Sequence, residues 1–414
     1  MRAIVLSGGG AKGAYQIGVW KALRKLNIKY DVVTGTSIGS VNGLMMVQND
    51  YLKTLWLWSN VGFDVLYDEK FPSKHDTLLE MTEVYKNYAK NFLKQGGISM
   101  GKMRNLLTKT YNKKRFFNSN IDYGLVTYNL TKMEPVFLKK KDLTNDVVDY
   151  VLASACCYPA FQKMKINGEE YIDGGIYDNM PINLAVEMGA DEVIAVDLEA
   201  IGVVQDVKYD NVKITYIRPK NEIGSFLVFD RKLAVKAIKY GYYDTMKIFK
   251  ELDGDKYTFK KGNLIANYNK YSNKFLNYCD KLFKKDEGIY DDILKLSFFN
   301  RILKTRKEYE LKKIFNETIE LLGKVFKIDT CNLYDIKKYN KILLNKIKKQ
   351  EEISKDFIEK KIKDKKIKDL LNTSSIIKYL YNRLDNNEIN KEICALASIF
   401  PKEFVCAIYL KVIK

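Results

Sequence analysis

The sequence predicts an α/β sandwich built around a largely parallel sheet, followed by a helical region. Three observations carry this reading. Up to about residue 250, short apolar runs alternate with helical stretches, the pattern of strands joined by crossover helices. Of the 24 glycines, 20 lie before residue 251, and no proline occurs between Pro219 and Pro401. From about residue 225 the apolar residues recur every three or four positions, as on one face of a helix.

Taken in order, the strands are read in "AIVLS", "DVVTG", "YGLVTYNL", "EPVFL", "DEVIAVDL" and "VKITYI". The first two each run into a glycine-punctuated turn and then a helix. The stretches "FLVFDRKLAVKAIKYGYYDTMKIF", "NRILKTRKEYELKKIFNETIELLGKVF" and "IIKYLYNRL" read as helices. The composition change places a boundary near "ELDGDKYTFKKGN", giving residues 1–255 as a catalytic-size domain and 256–414 as a basic helical domain. No secretory leader is read in the opening residues. The most apolar late stretch, residues 393–410, is broken by Pro401, Lys402 and Glu403 and is not expected to span a bilayer.

The formal charge of +19 is uneven. Residues 1–250 hold 34 Lys+Arg against 27 Asp+Glu, a net of +7, whereas residues 251–414 hold 36 against 24, a net of +12. Such a field favours anionic membrane surfaces, nucleic acid or acidic partners without specifying a fold. The most basic segment is "KKIKDKKIKDLL", residues 360–371, read as a solvated or membrane-facing helix. Six cysteines without CxxC spacing, beside a single histidine, exclude the usual zinc motifs and fit reduced thiols in a cytoplasm. No cofactor and no metal are expected.

Chemistry concentrates in three places. "SGGGAKGAYQ" leads from a strand into a helix through Gly8, Gly9, Gly10 and Gly13. Its backbone N–H groups form an anion cradle at a helix N-terminus. The spacing also satisfies GxGxxG, with Asp31 near the distance of a ribose-binding acid, so a nucleotide-binding regulatory module is the alternative reading. Against it, Asp31 begins its strand, whereas a ribose-binding acid ends one.

"GTSIGSVNG" sets Ser37 between a strand and a helix, the geometry of a nucleophile on a tight turn. A conventional triad then needs a histidine after the acid. The only one, His75, precedes every acid that would suit, and is read as a surface residue. The proton acceptor is therefore sought among carboxylates. Asp173, ahead of Gly174 and Gly175 in "YIDGG", has the flexible setting that lets backbone come close; DGG by itself also reads as a plain turn.

These three motifs in this order, with "LWLWSNV", "ASACCYPAFQKMKINGEEYIDGG" and "KYGYYDT" between and after them, resemble the patatin-like lipid acyl hydrolases over roughly residues 1–250. The resemblance implies a three-layer α/β/α sandwich and a carboxylic ester hydrolase of phospholipase A type. It implies Ser37 as nucleophile, Asp173 as base, and an oxyanion loop of Gly8, Gly9, Gly10 and Ala11. Lys12 matches the basic residue of that loop and is expected to face phosphate or assist the oxyanion. The expected partners are a phospholipid or other acyl lipid and an anionic membrane surface, with no nucleic acid. The expected location is cytoplasmic, peripheral to a membrane. Trp56, Trp58 and Phe63 are read as core packing or an interfacial anchor. "PAFQKM" departs from the proline-rich segment of the family at that place, and residues 255–414 resemble nothing recognisable.

Overall fold

A computed structural model describes residues 1–60, 62, 66, 97–283, 308–354, 372–385, 393, 396, 397 and 399–414. Phe63, His75 and the basic segment 360–371 lie outside the described residues. Contacts divide the chain into two compact units, Met1–Phe249 and Lys250–Lys414.

The first unit is built on an eight-stranded sheet. Its parallel centre runs β3 (Asp122–Asn129), β2 (Val32–Thr36), β1 (Arg2–Leu6), β7 (Glu192–Val196), β8 (Lys213–Ile217). Central strands are buried on both faces and therefore read as unbroken apolar runs; β2 has every residue buried. All six expected strands are present. Antiparallel β4 (Glu134–Lys139), β5 (Met164–Ile166) and β6 (Glu169–Asp173) complete the sheet beyond β3. The β5–β6 hairpin was not among the strands read from sequence, although Asn167-Gly168, both at positive φ, is a strong hairpin signal. Through that hairpin the tail of the acid motif becomes a strand end instead of a free turn.

Helices α1 (Ala14–Lys25) and α2 (Ile38–Val47) follow β1 and β2, and α3 (Tyr51–Asn60) comes next. They are followed by α4 (Gly101–Thr110), α5 (Lys113–Phe117), α6 (Val147–Ser154), α7 (Ile182–Glu187) and α8 (Arg231–Ile248). All ten residues of α2 are buried, because this helix lies in the interior behind the serine turn. Helices α1 and α8 pack closely, tied by the buried Tyr15 hydroxyl donating to Asp244 at 3.0 Å.

The second unit is helical, with α9 (Asn263–Phe283), α10 (Glu308–Val325), α11 (Ile336–Lys349), α12 (Thr373–Asp385) and α13 (Pro401–Ile413) among its described residues. It also holds a small sheet that periodicity did not announce: β10 (Thr258–Lys260) between β9 (Leu252–Asp253) and β11 (Leu333–Tyr334). Because β9 pairs with β10, the segment "ELDGD" belongs to this unit, and the break falls at Phe249/Lys250, ahead of residue 255. In its core Asn267, Asn340 and Tyr409 close a ring of hydrogen bonds at 2.9, 2.9 and 3.0 Å, so each buried polar group is satisfied. Among the described residues, no helix is long and apolar enough to cross a membrane.

Candidate active site

The C-terminal ends of β1 and β2, together with the end of β6, converge on one cavity of about 410 Å³. Ser37, Asp173, Gly9 and Gly10 all line it. In a parallel sheet, adjacent strands deliver their following loops to the same edge, so the first glycine loop and the serine turn become neighbours automatically. Asp173 arrives from the antiparallel β6, whose last residue lies opposite Thr127 of β3.

Ser37 sits between β2 and α2 with φ 56° and ψ −128°, a backbone state that side-chain-bearing residues rarely adopt. The turn is held by tertiary bonds. The Ser37 N–H donates to the Ser154 hydroxyl at 2.9 Å, and the Ser40 hydroxyl donates to the Ser37 carbonyl at 2.6 Å. Gly39 must lack a side chain, since a Cβ there would collide with the Leu6 carbonyl of β1. The glycines flanking Ser37 thus let helix and strands meet without a side chain between them.

Asp173 is buried, 6% exposed. One carboxylate oxygen accepts the Gly175 N–H at 2.8 Å, which caps the following 3-10 turn Gly174–Ile176. Burial pushes its carboxyl from the ordinary 3.8 up to about 6, while a hydrogen bond with the Ser37 side chain and the Gly175 N–H pull it down. A carboxylate with this affinity is a far better proton acceptor than one in water, and it shares the cavity lining with the serine, whose side chain lowers its pKa. Asp178 lies nearby in the chain and is also raised by burial to about 6; its carboxylate accepts the Met180 N–H at 3.1 Å. It is not among the cavity-lining residues.

The glycine loop is more sharply divided than its sequence suggests. The Gly8 N–H donates to the Asn179 carbonyl at 3.0 Å and the Ala11 N–H to the Phe226 carbonyl at 2.8 Å, so both are already engaged. Among the described residues no hydrogen bond takes up the N–H groups of Gly9 or Gly10, and both residues face the cavity. Gly10 has φ 54°, and a Cβ there would strike the Phe226 carbonyl. Lys12 does not reach the cavity lining. Its ammonium donates to the carbonyls of Leu198 and Glu199 at 3.2 and 3.1 Å, and partial burial lowers its pKa. The expectation that Lys12 faces phosphate or the oxyanion is corrected accordingly: two backbone acceptors on the loop after β7 hold its charge.

The remaining lining is mainly apolar, including Ile38, Met100, Met103, Phe161, Leu227 and Phe229. These positions come from four separate segments; Ile38 and Phe161 lie within quoted motifs, and nothing in the local sequence marked the others. Ser154 and Cys156 were also missed, although they lie within a quoted motif. Trp58 is buried, donates to Asn42 at 2.9 Å and stacks near Phe229, whereas Trp56 is 64% exposed. The core reading therefore holds for Trp58, and Trp56 alone remains as a surface indole.

The nucleotide alternative loses its acid. Asp31 stands just before β2, at the opposite edge of the sheet from the glycine loop, and its carboxylate accepts the Arg2 N–H at 2.9 Å. Among the described residues no group of His, Cys, Asp and Glu side chains is placed to hold a metal ion. The cysteines among them are free.

Residues 4–186 match the family model described as Patatin-like phospholipase. Among curated relatives, the Lysophospholipase nte1 of Aspergillus oryzae is 27% identical over 198 residues, covering 48% of this chain and 12% of that protein. The Lysophospholipase NTE1 of Cryptococcus neoformans var. neoformans is 27% identical over 208 residues, covering 48% and 11%. The chain thus spans only 12% or less of the length of these two relatives. Two solved structures align over 98% of this chain: VipD from Legionella pneumophila and the type III effector protein ExoU. Their TM-scores are 0.34 and 0.30 at 15% and 13% identity, with 91% and 76% of those chains covered.

Proposed function

Because residues 4–186 are a patatin-like phospholipase domain, we propose that this chain is a serine lipid acyl hydrolase of phospholipase A type. The reading rests on one observation above the others: Ser37 and Asp173 meet in a cavity whose wall also presents the unengaged N–H groups of Gly9 and Gly10.

In the proposed cycle the Ser37 hydroxyl attacks the carbonyl carbon of a fatty-acyl ester while Asp173 takes its proton. The carbonyl π electrons move to oxygen, and the resulting oxyanion is held by the Gly9 and Gly10 N–H groups. Each preorganised donor of this kind contributes about 3 to 4 kcal/mol in the transition state. Collapse expels the glycerol-side oxygen, which receives the proton from Asp173, and leaves an acyl-serine. Water then attacks that ester, giving its proton to Asp173, and the fatty acid departs as Ser37 regains its hydroxyl. Burial assists by keeping water from solvating Asp173 and by strengthening each electrostatic contact.

The substrates proposed are glycerophospholipids, with lysophospholipids included because the curated relatives are named lysophospholipases. A cavity of about 410 Å³ with mostly apolar walls suits an acyl chain. The basic residues of 251–414 are proposed to favour an anionic membrane surface from the cytoplasmic side. The test is to incubate wild type and Ser37→Ala with mixed phospholipids and lysophospholipids, then identify products by mass. Release of fatty acid and the matching deacylated lipid by wild type alone supports the reading. Equal release by Ser37→Ala, or none by either protein, overturns it.

A further inference from the structure

We propose that Ser154 is a positioning residue for the Ser37/Asp173 pair, acting with the Cys156 backbone as a clamp at the end of α6. The proposal rests on the dyad reading above. Ser154 is the last residue of α6 and is fully buried. Its hydroxyl accepts the Ser37 N–H at 2.9 Å and donates to the Val126 carbonyl of β3 at 2.6 Å. Two residues later, the Cys156 carbonyl accepts the Asp173 N–H at 2.9 Å. One helix end therefore holds the backbone of both members of the pair.

The place on β3 that anchors the hydroxyl lies between the strands bearing them. Val126 is in register with Thr36, immediately before Ser37, and Thr127 is in register with Asp173. Strand pairing sets the heights of the two residues, but Ser37 itself lies past the last paired residue of β2. Its positive φ turns its N–H out of the ladder, and the first turn of α2 offers an N-terminal amide no carbonyl. A side chain that accepts and donates at once solves both needs. Among small side chains only Ser and Thr do so with an sp³ oxygen. Alanine would leave the Ser37 N–H and a Val126 lone pair without their partner, inside the protein, and the turn would be free to rotate away from Asp173.

The test uses the full chain, with Ser154→Ala, Ser154→Thr and Ser37→Ala compared on a soluble short-chain ester, p-nitrophenyl butyrate. For Ser154→Ala the expected result is a folded protein whose kcat falls tenfold to a hundredfold with KM within twofold of wild type. The acidic limb of its kcat/KM profile should move to higher pH, because the Ser37 hydrogen bond that lowers the Asp173 pKa is weakened. Ser154→Thr should recover most of kcat and return the limb. If Ser154→Ala does not fold, Ser154→Cys is read by the same criteria, since it keeps the volume with a weak acceptor. A folded Ala or Cys variant with kcat within twofold of wild type, or a Thr variant no better than Ala, would overturn the clamp. If Ser37→Ala is inactive while Ser154→Ala is unchanged, only the clamp falls; an active Ser37→Ala removes the dyad reading and the clamp with it.

Discussion

Replacing Asp173 by Asn, read across pH, tests the base through both activity and stability. Burial raises the Asp173 carboxyl from 3.8 to about 6 in the folded protein. A change of that size corresponds to about 3 kcal/mol against ionisation. Attack requires the ionised form, so kcat/KM for a soluble ester should rise with pH through about 6. About one tenth of the plateau should remain at pH 5 and about one hundredth at pH 4. The stability effect has the opposite sense. A raised folded-state value means the native protein holds this proton more tightly than the unfolded chain does. The stability this contributes is fully present below the unfolded value near 3.8 and is lost as pH rises through about 6. At pH 8 the ionised group therefore costs up to about 3 kcal/mol relative to low pH. Asp173→Asn should abolish turnover yet melt several degrees higher than wild type at pH 8, with the advantage gone at pH 4. Asp178, also near 6, is the control: Asp178→Asn should keep the acidic limb of activity in place. A wild-type profile flat between pH 5 and 8, or Asp173→Asn retaining more than about a tenth of kcat, would refute the argument.

Four further outcomes are expected. His75→Ala should retain activity within about threefold, since the proposed cycle uses no imidazole, whereas a loss matching that of Ser37→Ala in a folded protein would place a histidine in the mechanism. Gly10→Ala should lower kcat by about a hundredfold or more, because its Cβ meets the Phe226 carbonyl and displaces one of the two unengaged N–H groups. Lys12→Met should melt lower by the equivalent of about 1 to 3 kcal/mol, leaving two carbonyls without their donor, while KM for a phosphate-free ester stays unchanged. Sedimentation of the Ser37→Ala protein with anionic vesicles should weaken steeply between low and high salt; insensitivity to salt would remove the electrostatic role of the basic region.

Much of the candidate site was legible because the proposed chemistry depends on local backbone geometry. A serine between glycines after an apolar run, a triple glycine before a helix, and an aspartate before two glycines all advertise turns that only small residues permit. With a single histidine in the chain, the sequence points to a carboxylate as the proposed proton acceptor. Less visible was which N–H groups remain available. Gly8 and Ala11 give theirs to Asn179 and Phe226, more than 160 residues away in sequence, and Lys12 is drawn to Leu198 and Glu199 for the same reason. The small sheet of the second unit escaped notice because its strands are two or three residues long, too short for a period to show.

The sequence by itself determined six strands of the main sheet, the helical character of the later chain and the three glycine-punctuated turns, because period and glycine placement act over a few residues. Tertiary structure alone decided that Asp173 loses its water and meets Ser37, that two of the loop's N–H groups stay open, and that Ser154 binds the serine turn to β3. Those properties belong to burial and to hydrogen bonds between segments far apart in the chain, and they come into being only when the sheet assembles.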